Sequence, residues 1–197
     1  MKKYLLIISV ALVGIVAMIS CVNSETANKD NAGISNDSLV KRGSYLVTIM
    51  GCNDCHTPFK MGLNGPEPDQ DRLLSGHPEY IPVAKFDTTT SKNWVLFNLT
   101  GTSMLGPWGA SFSGNLTSDA TGIGNWTEEQ FKKAITQGKL KGLDAGRPLL
   151  PPMPWQNYVH LKDEDIKAIF AYLKSTKPVK NVVPAPISPD KLPAYFR

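Results

Sequence analysis

A mainly α-helical domain, broken by an irregular insert with short β segments, is the fold class this sequence predicts, and three observations carry that reading. Apolar residues recur at three- and four-residue steps over residues 39–50, 131–135 and 166–173, the period of helices with one buried face. Helix start and stop signals flank two of these stretches. Residues 67–113 keep no such period and mix Pro, Gly and Trp with short apolar runs, which suits short strands and loops. The composition agrees. With 15 Pro and 16 Gly among 197 residues and only 19% charged residues, a coiled coil, a long bundle and a solvated charged tail are all excluded.

The chain opens with Met1, Lys2 and Lys3 and an almost unbroken apolar run from Tyr4 to Ile19. That pattern predicts an export signal over residues 1–20, too short to cross a bilayer comfortably. Met18-Ile19-Ser20-Cys21 resembles a bacterial lipobox, which implies lipidation of Cys21. An uncleaved signal anchor is the alternative. Either way the rest of the chain is expected outside the cytoplasm, in the periplasm or at the cell exterior, and tied to a membrane. Residues 21–38 are polar and predict a flexible tether with a reach on the order of 20 Å.

The folded domain is expected over residues 39–177. Leu39, Gly43, Leu46, Val47 and Met50 mark the first helix, with Ser38 or Asp37 as its cap. A glycine in a helix weakens it, so Gly43 asks for a reason, and close passage of another helix supplies one. Thr127-Glu128-Glu129-Gln130 is a capping box, with Trp126 placed to staple onto Phe131. Phe131, Ala134 and Ile135 should be buried, and Gly138 should end that helix. Ile166, Ile169, Phe170 and Leu173 mark a last helix, with Asp163, Glu164 and Asp165 at its start, Lys174 near its end and Pro178 beyond it. Lys162 stands at its cap position and has no side-chain acceptor to offer. Within the insert, residues 81–83 and 94–99 are the apolar runs expected to be short strands or a hairpin. Residues 178–197 carry five prolines and are expected to run extended over the surface.

The chemistry lies in Cys52-Asn53-Asp54-Cys55-His56, a C-x-x-C-H run of the kind that attaches c-type haem. Two thiols three positions apart can each add to one haem vinyl group, and the next residue supplies the proximal imidazole. A redox dithiol or a zinc site competes for the same residues. The first would want a βαβ setting, and the second two further ligands, for which His77 and His160 show no paired spacing. The motif occurs once, so one haem is the ceiling. For the sixth ligand, Pro151-Pro152-Met153-Pro154-Trp155 holds a thioether on a stiff stretch poor in backbone donors. Met104, in a Gly-rich stretch, is the runner-up. Met61 is too near the proximal side, and His77 and His160 read as structural or surface residues.

Gly43 and Tyr45 ahead of the C-x-x-C-H run, the Met153 loop, and Ala171-Tyr172-Leu173 in the final helix together resemble a class I c-type cytochrome. Asn115-Leu116-Thr117 and the run from Thr121 to Thr127 are similar to cytochrome subunits of membrane-bound alcohol and aldehyde dehydrogenases. The resemblance implies a helical domain wrapped around one covalent haem c, held by Cys52 and Cys55 and ligated by His56 and Met153. It implies crossing of the first and last helices at Gly43 and Tyr172. It also implies a proline carbonyl bonded to the haem histidine, for which Pro66 in Asn64-Gly65-Pro66 is the counterpart. The departure is length: Met153 follows His56 by 97 positions, and the excess lies in residues 67–113.

An iron with His and Met ligands has no open position, so one-electron exchange is the expected activity and no catalysis of a substrate reaction. No nucleophile–base pattern or Walker loop competes. The expected partners are redox proteins, a dehydrogenase on one side and a respiratory acceptor on the other, with the membrane reached through Cys21. A haem-based sensor or small-ligand binder with a labile sixth ligand is the alternative. The formal charge is +4; with Lys2 and Lys3 set aside, 19 basic residues face 17 acidic ones, which gives a nucleic-acid partner no support.

Overall fold

A computed structural model describes residues 35–87 and 89–195. The export signal, Cys21 and most of the tether lie outside the described residues. No helix among the described residues is long and apolar enough to cross a membrane.

Helix α1 spans Asn36–Ile49, three residues earlier than its apolar stripe announces. The two expected caps lie inside its first turn, where Asp37 instead pairs with Lys41 one turn on, at 2.8 Å. Gly43, Leu46 and Val47 form the buried face. Helix α2 is the short turn Cys52–His56. Helix α3 spans Glu128–Gln137 and α4 spans Asp163–Ser175. The capping box is complete. The Gln130 amide donates to Thr127 Oγ1 at 3.2 Å and the Thr127 amide to Gln130 Oε1 at 2.9 Å, and Gly138 closes the helix with φ +64°. Lys162 makes no side-chain cap.

The three longer helices share one core. Leu46, Val47, Phe131, Ile135, Ile166, Ile169 and Leu173 bury together, joined by Leu74 and Ile123 from the loops. Helices α1 and α4 cross where Gly43 meets the Ala168 backbone and Tyr172, as the resemblance implies: a Cβ on Gly43 would lie 2.0 Å from the Ala168 carbonyl oxygen and 2.7 Å from Tyr172 Cβ. The Arg42–Asp165 ion pair, 3.0 Å, flanks the crossing.

The β content differs in detail from the expectation. Strands β1 (Phe59–Gly62) and β2 (Gly65–Pro68) form a hairpin just after α2. In the insert β3 (Leu96–Phe97), β4 (Ser103–Gly106) and β5 (Gly109–Phe112) make an antiparallel sheet in that order. Of the two apolar runs, only residues 94–99 contribute a strand; residues 81–83 have none. The β4–β5 hairpin sets Met104, Leu105 and Phe112 among Ser, Gly and Ala, with no regular apolar alternation to announce it.

The C-terminal stretch is more than a surface strap. Asn181 is fully buried and donates Nδ2 to the carbonyls of Ser75 (2.7 Å) and His77 (2.9 Å), while its Oδ1 accepts from the Glu79 amide at 3.0 Å. Ile187 pairs with Ala110 on the free edge of β5, with both backbone bonds formed. A last helix, α5 (Leu192–Tyr195), buries Leu192 against Leu105 and Ala110 in a second small core. Prolines bar regular structure for most of this segment, but Asn181 and Leu192 carry anchoring groups that a proline count does not reveal.

Candidate haem site

The candidate site is built from α2 outward. Gly51 ends the path of α1 with φ +69°, a left-handed turn that suits glycine, and a new helical turn begins at once. Three positions apart on that turn, Cys52 and Cys55 share a face, and His56 follows directly. Both cysteines are free thiols, partly buried. Burial pushes the Cys52 thiol up to about 11 and raises that of Cys55 as well. A nucleophilic redox dithiol needs the opposite shift. Among the described residues no three of His, Cys, Asp and Glu gather in a way that could hold a metal ion, so the zinc reading has no second half.

His56 is fixed by two backbone contacts. Its Nδ1 lies 2.8 Å from the Gly114 carbonyl; a carbonyl only accepts, so Nδ1 carries the proton and Nε2 keeps its lone pair. Its own carbonyl accepts from the Gly76 amide at 2.8 Å. Burial holds the imidazole below its usual range, against the opposing pull of the Gly114 contact. The acceptor is therefore Gly114, and the expected role of Pro66 is corrected: Pro66 is exposed on β2, paired with Met61.

Met153 is partly buried on the loop between Lys139 and α4. The loop is held at three places. Ser111 Oγ on β5 donates to the Pro151 carbonyl at 2.7 Å; the Pro151–Pro152 bond is cis. Trp155 lies against Gly138, where a Cβ would come within 2.4 Å of its ring. Tyr158, in a 3-10 turn Trp155–Tyr158, donates its hydroxyl to the Met50 carbonyl at 3.3 Å. Met50 stands two residues before Cys52, so this bond brings the methionine loop to the haem motif. Burial raises the Tyr158 hydroxyl, and proximity to Cys52 and Cys55 adds to that. Tyr158, Ser111 and Gly114 are the site residues that sequence reasoning missed.

The other candidates are placed differently. His77 is fully buried with both ring nitrogens engaged, Nδ1 with Thr102 Oγ1 and Nε2 with the Ile81 carbonyl, each at 3.0 Å, which leaves no lone pair for iron. His160 is exposed, as is Met61 on β1. Met104 is buried on β4 directly opposite Ser111.

These residues fit a haem c on several counts. Two thiols share one face, the imidazole has its Nδ1 proton committed to a carbonyl as iron-ligating histidines do, and Met50 and Tyr158, bonded to each other beside Cys52, are part-buried. The hydroxyls of Ser75 and Ser113 are buried without partners next to Gly76 and Gly114, donors left over for the polar edge of a bound group.

A helical domain closed by a glycine crossing, with a C-x-x-C-H turn backed by a carbonyl and a proline-framed methionine loop tied to it, is the class of small c-type cytochrome domains. The chain belongs to the cytochrome c family: the family model described as Cytochrome c matches residues 40–177. It is 32% identical over 139 residues to the gluconate 2-dehydrogenase cytochrome c subunit of Pantoea cypripedii, covering 70% of this chain and 23% of that one. It is 31% identical over 159 residues to the fructose dehydrogenase cytochrome subunit of Gluconobacter japonicus, covering 80% and 24%. A third relative, the cytochrome c subunit of a quinone alcohol dehydrogenase from Gluconobacter oxydans, is 30% identical over 147 residues, 74% of this chain and 23% of that one. The chain thus spans about a quarter of the length of these relatives.

Proposed function

We propose that this chain is a monohaem c-type cytochrome that passes single electrons between a dehydrogenase and a respiratory acceptor while anchored to a membrane through Cys21. The observation that carries the reading is the 2.8 Å contact of His56 Nδ1 with the Gly114 carbonyl at the end of the C-x-x-C-H turn. It orients the ring, sets the tautomer and leaves Nε2 as a ligand. Cys52 and Cys55 would hold the macrocycle as thioethers, and Met153 would present its sulfur from the loop braced by Ser111 and Tyr158. When bound, haem c supplies a one-electron Fe(III)/Fe(II) couple, whose reduced form a methionine ligand favours.

The dehydrogenase donor is supported by the relatives, all three of which are cytochrome subunits of dehydrogenases. The single C-x-x-C-H run supports one haem, and the Met18–Cys21 motif supports the lipid. Mass spectrometry under denaturing conditions tests the cofactor. One haem mass retained after unfolding is the expected result, lost in the Cys52→Ser/Cys55→Ser double variant; a chain at its polypeptide mass refutes the reading.

A further inference from the structure

The end of the insert and the glycine that follows it reach both sides of the candidate site. Gly114 accepts the proton of His56 Nδ1 at 2.8 Å. Three residues earlier, Ser111 Oγ donates to the carbonyl of Pro151 at 2.7 Å, two residues before Met153. Ser111 is itself oriented. The Trp108 indole N–H donates to Ser111 Oγ at 3.1 Å, so the hydroxyl proton is left for Pro151. Ser111 is buried, at 5% exposure, where a hydrogen bond meets little competition from water. The stretch cannot slide. The β5 edge is closed by the Ala110–Ile187 pair, and the Ser113 amide donates to the Thr102 carbonyl at 2.9 Å.

We propose that Ser111 is a positioning residue for the sixth ligand, its hydroxyl, aimed by Trp108, holding the Pro151 carbonyl so that the insert sets how firmly the Met153 sulfur stays on iron. The proposal rests on the His56/Met153 reading above. It makes the end of the insert, with Gly114, a strut between the two ligand-bearing segments. Proline framing alone stiffens residues 151–154 internally; it does not tie that stiff piece to the rest of the molecule. Ser111 does.

The test uses the haem-loaded protein with Ser111→Val and Ser111→Thr, which match in shape and differ in the hydroxyl. Two readouts are taken, the ferric absorption signature of sulfur ligation and the rate at which added imidazole displaces the sulfur. The valine variant should exchange about fivefold faster, the loss of one buried hydrogen bond, and the threonine variant should match the parent. Equal rates in all three proteins, or equal acceleration in both variants, overturn the proposal. Should the valine protein not fold, Trp108→Phe carries the test, since it removes the aiming N–H and keeps an aromatic ring beside Gly106. A two- to threefold faster exchange is expected there, and an unchanged rate refutes. Met153→Ala separates the two levels. An unchanged ligation signature in that variant overturns the His/Met reading together with the Ser111 proposal. A lost signature combined with an unaffected valine variant overturns the Ser111 proposal alone.

Discussion

Gly43→Ala sets two physical effects of opposite sign against each other. In an exposed helix the change would stabilise by about 1 kcal/mol, because alanine loses less backbone entropy than glycine. Here the new methyl would lie 2.0 Å from the Ala168 carbonyl oxygen, 2.6 Å from its carbon and 2.7 Å from Tyr172 Cβ. The two closest atoms belong to the backbone of α4 and cannot rotate away. Relief requires α1 and α4 to separate by more than an ångström, loosening Leu46, Val47, Ile169 and Leu173 in the shared core. Overpacking of this kind costs about 1–3 kcal/mol or more. With backbone atoms in the way the upper end applies, and the net loss is about 2 kcal/mol after the propensity gain. For a domain of this size that lowers Tm by roughly 4–8 °C. Thermal unfolding of the haem-loaded protein, followed by far-UV circular dichroism, reads the difference directly, and Gly43→Val should lose more. A Gly43→Ala Tm equal to or above that of the parent would show that helix propensity wins, and the crossing would lose its standing as the reason for the glycine.

Three further outcomes follow from the site and its supports. Met153→Ala should abolish the sulfur-ligation signature of the ferric protein while Met104→Ala leaves it intact; the reverse pattern would assign the ligand to β4. Asn181→Ala leaves the Ser75 and His77 carbonyls and the Glu79 amide without their partner, a loss of about 3 kcal/mol that should also speed proteolysis of the C-terminal segment; protection equal to the parent would refute the anchoring role. His77 is held below its ordinary pKa by burial, so the unfolded chain takes up a proton first as pH falls. Its contribution is complete above about pH 6.5 and declines below it, by at most about 1.4 kcal/mol per pH unit. The parent should therefore lose more stability between pH 7 and pH 5 than His77→Gln, and parallel losses would refute the assignment.

The helical frame was legible because each of its determinants is local or periodic. The capping box at Thr127 and Gln130, the left-handed stop at Gly138 and the apolar stripe of α4 depend on residues within one or two turns of each other. Even the α1–α4 crossing is written in Gly43, since a helix keeps such a residue only against some counterweight. The start of α1 was misplaced because residues 36–38 carry no apolar member of the stripe, although Asp37 supports the added turn through Lys41. The insert is legible as β in kind, but in position only at residues 94–99, which hold β3. Its central hairpin breaks Met104, Leu105 and Phe112 with serines and glycines, and the sheet is completed by Ile187, some 77 residues beyond its partner Ala110. A pairing at that separation leaves no local periodic trace.

The site divides along a different line. Cys52, Cys55, His56 and Met153 are chemically distinctive side chains, and a C-x-x-C-H run or a proline-framed methionine announces itself by residue type. What holds them does not. The acceptor for His56 is the carbonyl of Gly114, the acceptor for Ser111 that of Pro151, and the acceptor for Tyr158 that of Met50. Every residue has a carbonyl, so the identity of an acceptor residue says nothing about its role. A proline expected by resemblance to back the histidine could therefore be replaced by a glycine 48 positions further on with the same chemistry preserved. The donors tell the same story from the other side. Ser111 and Tyr158 are ordinary residues until the chain carries each to a carbonyl 40 or 108 positions away. Reading the reactive groups of such a domain from sequence is thus a question of residue type. Reading how strongly they are held depends on which carbonyls the fold brings to them, and the substitutions at Ser111 test that second kind of information.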